Sequence, residues 1–71
     1  MDEIQKLSLV IEHWIEHNKS HMGEYQKWSQ RAEELGFTAV KTHIEEAVAV
    51  LSQSNRHLEQ ALRAIPHRVS A

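Results

Sequence analysis

Cysteine is absent from the 71 residues, which excludes disulfides and thiolate metal sites as staples for the fold. Proline occurs once and glycine twice, too few to punctuate a sheet of short strands and turns. Neither sign of charge dominates: eight Lys and Arg stand against ten Asp and Glu, for a net charge of −2. The basic residues are scattered, so nothing resembles the basic stripe of a nucleic-acid-binding protein. No apolar run approaches the roughly 20 residues that a membrane-spanning helix needs. The acidic start, Met-Asp-Glu-Ile-Gln, lacks the apolar stretch of a signal peptide. The expectation is a cytoplasmic chain with neither nucleic acid nor membrane as a partner. A chain this short rarely builds a core worth more than about 3–5 kcal/mol by itself. The remaining reinforcements are self-association and a nitrogen/oxygen metal site.

What is present reads as helix. Asp2, followed three residues later by Gln5, is a capping-box pattern that opens a first helix. Apolar and aromatic residues then recur with heptad spacing at Ile4, Leu7, Ile11, Trp14, Tyr25, Trp28, Ala32 and Leu35. The same frame places Asn18 and His21 at the two intervening positions. An unbroken phase predicts one helix over residues 2–35, closed by Gly36 as a C-terminal cap. A second frame runs through Phe37, Val40, Ile44, Ala47, Leu51, Ser54, Leu58, Ala61 and Ile65, with Thr38 as an N-cap and Pro66 as the stop. The domain organisation is therefore a single helical domain over residues 1–65, with helices at about 2–35 and 38–65 and a C-terminal tail at 66–71.

The turn at Gly36 is short, which makes the helices antiparallel. The predicted class is all-α: a long helical hairpin that dimerises into a four-helix bundle. The alternative is a three-helix bundle broken near residues 18–23, where Asn18, Ser20 and Gly23 are poor helix-interior residues. Further apolar residues beside the main stripe (Val10, Ile15, Met22, Val48, Val50, Leu62) widen it beyond a two-helix seam. That favours a homodimer, with docking to another protein as the competing partnership.

Six residues are histidine. His13, His17 and His21 stand four apart, so their side chains stack along one face of a helix. Imidazole suits divalent transition metals such as Ni and Zn. Antiparallel pairing matches residues whose numbers add to about 72–75. Asn18 then meets Ser54 and Asn55, and His57 approaches the level of His17 and His21. The candidate metal ligands are His17, His21 and His57, with His13 extending the row outward. The competing reading is a buried polar layer that only sets register, as a core Asn does in coiled coils.

No enzymatic arrangement is found. His13-Trp14-Ile15-Glu16-His17 matches an inverted zinc-protease motif, but a small hairpin offers no cleft for it. The Glu-x-x-His signature of di-iron bundles is absent. Trp14, Tyr25 and Trp28 have the spacing of packing residues, not of a ligand-stacking surface.

The stretch Trp14-Ile15-Glu16-His17-Asn18-Lys19-Ser20-His21, followed by Tyr25 and Trp28, carries a resemblance. With Ala32-Glu33 and Asn55-Arg56-His57-Leu58-Glu59-Gln60-Ala61-Leu62, it resembles a small helical domain of bacteria and archaea that has no established activity. The likeness covers roughly residues 7–63. Domains of this kind are associated with nickel-binding proteins of the carbon-monoxide-dehydrogenase accessory type. The resemblance implies an all-α fold and adds nickel to the expected cofactors.

Overall fold

In the computed structural model, residues 2–66 are described, and they form two helices: α1 (Glu3–Glu34) and α2 (Thr38–Ala64). The helices pair as an antiparallel hairpin 55 Å long and about 17 Å across. Its radius of gyration is 16.5 Å, against about 11 Å for a compact domain of this length. The expected tail over 66–71 lies outside the described residues apart from Pro66.

Both ends of α1 are built from the residues the sequence offers. The Asp2 carboxylate accepts from the Gln5 amide at 2.7 Å, and the Asp2 amide donates to Gln5 Oε1 at 3.2 Å. This reciprocal box satisfies two donors that a helix start otherwise leaves bare, worth about 1 kcal/mol. At the other end Gly36 adopts φ 82°, a left-handed conformation that glycine takes without steric cost. The Gly36 amide donates to Glu33 O at 3.0 Å and the Phe37 amide to Ala32 O at 2.9 Å. That is a Schellman closure. It turns the chain so tightly that Phe37, not Thr38, becomes the N-cap of α2, with no side-chain cap bond.

Helix α1 is continuous through Asn18–Gly23, so the three-helix alternative is not adopted. Gly23 costs the helix backbone entropy, but a methyl group placed there would meet nothing within 4 Å.

The seam between the helices is rotated by one column from the frame read in the sequence. On α1 the buried residues are Ile11, Ile15, Ser29 and Ala32, with Ser8, Asn18 and Met22 half-buried between them. On α2 the inward residues are Ile44, Val48, Leu51, Asn55, Leu58 and Leu62. One predicted column on each helix (through Ile11 and Asn18, and through Ile44 and Leu51) does face the partner helix. The other predicted columns open towards solvent, half-covered only at His21, Ala47 and Ser54. Leu7, Trp14, Trp28 and Leu35 on α1 and Val40 on α2 are exposed. The reason is that periodicity reports the mean apolar direction of a helix. A helix with apolar residues on two adjacent sides points that mean between them.

The two glycines should respond oppositely to the same change. Gly23→Ala is expected to stabilise the hairpin by about 1 kcal/mol and Gly36→Ala to destabilise it by a similar amount. Thermal unfolding followed by circular dichroism checks this, with midpoints moving in opposite directions by about 4–8 °C. Equal shifts of the same sign would contradict the local geometry.

Candidate functional site: the mid-helix histidines and the asparagine pair

Halfway along the hairpin, the seam is polar. Asn55 is 5% exposed and uses both ends of its amide. Its Oδ1 accepts from Asn18 Nδ2 at 2.9 Å, and its Nδ2 donates to the Ile15 carbonyl at 3.2 Å. Among the described residues no buried side-chain polar atom lacks a partner, so this layer is satisfied at little net cost. The pairing of Asn18 with Asn55 matches the expected register. A slip by one heptad would bury both amides without each other, at about 1–3 kcal/mol per orphaned group.

The histidines lie beside this layer, on the flank of α1. His17 Nε2 and His21 Nε2 are 3.0 Å apart, one ring donating its N–H to the other. Their rings meet edge to face, with centroids 4.5 Å apart. His13 continues the row at 5.8 Å from His17, and Tyr25 stacks on His21 at 6.0 Å. The i, i+4 spacing alone creates this ladder. His17 and His13 are exposed, and His21 is half-buried against the seam.

The distance within the pair has chemical meaning. Two imidazole nitrogens bound to one ion at about 2.0–2.1 Å stand about 2.9 Å apart at a right angle and about 3.4 Å apart at the tetrahedral angle. The observed 3.0 Å lies inside that range. A cation bound to both nitrogens would displace the proton now shared between them and sit to one side of the line joining them.

The expected convergence of His57 with this pair does not occur within one hairpin. Among the described residues no three His, Asp or Glu side chains are grouped to hold a metal ion. His57 is exposed, in the column of α2 through His43 and Val50. The rotation of the seam moves His17 and His57 one column further from each other than the sequence frame implied. Glu16, the acid of the protease-like motif, pairs with Lys19 at 3.5 Å on the exposed side of α1.

Sequence reading missed the division of the hairpin into two unlike sides. One side carries Gln26, Glu33, Lys41 and Glu45 around a shallow polar groove. There Lys41 bridges Glu33 at 3.4 Å and Glu45 at 3.8 Å. The opposite side has a groove lined by Tyr25, Trp28, His43, Ile44 and Ala47. Both tryptophans open on to solvent, Trp14 at 49% and Trp28 at 58% exposure. The signal was present in the sequence: three apolar columns per helix are one more than a two-helix seam can bury.

A family model described as Domain of unknown function (DUF8180) matches residues 7–65. The chain belongs to this family. No curated protein and no solved structure shows significant similarity to it. The match begins near the first seam residue, Ser8, and ends beside the helix stop, so the DUF8180 unit takes in nearly all of the hairpin. Among the described residues, no helix of it is long and apolar enough to cross a membrane.

The asparagine layer can be tested directly. Asn55→Ala removes two hydrogen bonds and is expected to destabilise by about 1–3 kcal/mol. The double change Asn18→Leu/Asn55→Leu should cost less than the single one, because no polar group is left unpaired. Urea unfolding of the three proteins reads the difference. A double variant less stable than Asn55→Ala would remove the amide pair from the account.

Proposed function

We propose that this chain is a non-enzymatic, self-associating module, in which two hairpins join by their apolar sides into an antiparallel four-helix bundle. The observation that carries this reading is the exposed aromatic and aliphatic column on one side of a rod whose other side is polar. Within the hairpin the only buried apolar residues among those described are Ile11, Ile15 and Ala32. That is a small core for two helices of 32 and 27 residues. The largest apolar side chains, Trp14 and Trp28, lie outside it.

The area is adequate. A side of a rod 55 Å by 17 Å has a footprint of roughly 900 Å², comparable with the about 800 Å² per partner of a stable interface. A single apolar side also makes the assembly close on itself. Once two like faces meet, the polar sides point outward and no further copy can add.

A second activity is supported by the His17–His21 spacing: capture of a divalent transition metal by two imidazoles. The same flank of α1 that would face the second hairpin also carries His21. Metal binding and association are therefore properties of one surface. The resemblance to domains associated with nickel supports including Ni²⁺ beside Zn²⁺ as a candidate ion.

Sedimentation equilibrium at micromolar concentration tests the assembly. The wild-type chain should sediment at twice its 8.2 kDa mass. Trp14→Glu/Trp28→Glu should be monomeric, because burying an unpaired carboxylate costs several kcal/mol. A wild-type monomer at this concentration would dismiss the bundle.

A further inference from the structure

The two helices differ in the size of the side chains that they show on the apolar side. On α1 the column is large: Leu7, Trp14, His21, Trp28 and Leu35. On α2 it is small: Val40, Ala47, Ser54 and Ala61. The register fixed by the Asn18–Asn55 hydrogen bond sets these columns level, so Trp14 is level with Ala61, His21 with Ser54 and Trp28 with Ala47. Trp28 and Ala47 already line one groove together.

Two hairpins can meet face to face about two kinds of two-fold axis. An axis lying across the rods, between the two layers, stacks α1 on α1 and α2 on α2. That opposes tryptophan columns on one half and leaves Ala and Ser facing each other on the other half. An axis along the rods stacks α1 of each copy on α2 of the other, so large residues meet small ones and the layers interdigitate. The second arrangement fills space. It also keeps every residue at its own level along the rod, so the register within one hairpin applies between hairpins.

That arrangement has a chemical result. Just outside the large column on α1 runs a column through Val10, His17, Glu24 and Arg31. Just outside the small column on α2 runs one through His43, Val50, His57 and Ala64. In the dimer these columns face each other. His17 is then level with His57, Glu24 with Val50 and Arg31 with His43, with no carboxylate opposite another and no two formal charges of one sign opposed.

We propose that the dimer holds two metal sites, each built from His17 and His21 of one copy and His57 of the partner subunit. This inference rests on the four-helix-bundle reading and adds the axis and the ligand set to it. Three neutral imidazoles at one point match the preference of Zn²⁺, Ni²⁺ and Co²⁺ for nitrogen. They leave a fourth position for solvent. The His17–His21 pair supplies two nitrogens already at ligand spacing, 3.0 Å. His57 of the partner subunit supplies the third, which explains how three histidines that do not converge in one hairpin serve a single ion. Metal then favours the dimer, because the complete site exists only there.

The decisive experiment uses the full chain, Ni²⁺ and Zn²⁺ alone, isothermal titration, and sedimentation of the same samples. The wild type should bind one ion per chain and sediment as a dimer. His57→Ala should remain helical and bind at least about tenfold more weakly, since even an indirect support of a ligand is worth about 10–100-fold. His57→Gln serves in its place if the alanine variant is poorly folded. His17→Ala/His21→Ala should lose binding. An equal mixture of His57→Ala and His17→Ala/His21→Ala, unfolded and refolded together, forms mixed dimers with one complete site. Those dimers should recover wild-type affinity at reduced stoichiometry. A dimer whose His57→Ala variant binds like the wild type, or whose mixture recovers nothing, overturns the shared site and leaves the bundle standing. One ion per dimer with no effect of His57 identifies the crossed axis and also overturns it. A wild-type chain that stays monomeric with and without metal removes the bundle and the site together.

Discussion

The amide of Asn55 governs the rest of the hairpin. Two long amphipathic helices can slide past each other in steps of a heptad with modest loss, because one aliphatic side chain resembles the next. A buried amide cannot slide. Asn55 finds a donor in Asn18 and an acceptor in the Ile15 carbonyl at one register only. Every other level in the rod follows from that choice: Glu33 within reach of Lys41 near the turn, Trp28 beside Ala47, and the histidine flank at mid-length.

The amide layer and the histidine pair are neighbours with different tasks. The asparagines face inward, and their hydrogen bonds close on protein. His17 and His21 lie one or two columns outward, where one N–H links them, His17 is exposed and His21 is half-buried. A fully satisfied inner layer frees the outer one from any part in register. On the metal-binding proposal, the imidazoles would exchange their shared proton for a cation without disturbing the pairing of the helices. A site of this kind is pre-organised by helix geometry alone, since i and i+4 side chains are held by the backbone and not by a loop.

Much of this was legible in the chain. Asp2 and Gln5 announced the first cap, Gly36 the turn and Pro66 the stop. The pairing of Asn18 with Asn55 followed from counting outward from the turn. The continuity of α1 through Gly23 was readable from the unbroken heptad phase. The orientation of the helices about their own axes was harder to read. Ser8, Ser29, Asn18, Asn55 and Lys41 all occupy seam positions, so a hydrophobic pattern alone does not single the seam out, and the large side chains beside it pull the apparent direction outward. The tryptophans drew the frame towards the face that a second hairpin would cover. For the same reason His17 and His57 seemed to approach each other within one chain. Periodicity records how much of a helix avoids water, but not which neighbour shields each part.

The Schellman turn at Gly36 has a consequence for the shape of any assembly. Because the reversal takes only Leu35, Gly36 and Phe37, residues 2 and 66 lie at the same end of a rod 55 Å long. A dimer with its axis along the rod is therefore polar: both turns crown one pole, and all four strands of backbone enter and leave at the other. Such an object has a capped tip and a wired base. In it the two turns stand about 55 Å from residues 2 and 66 of both copies. A crossed dimer would place connections at both poles and lose that distinction.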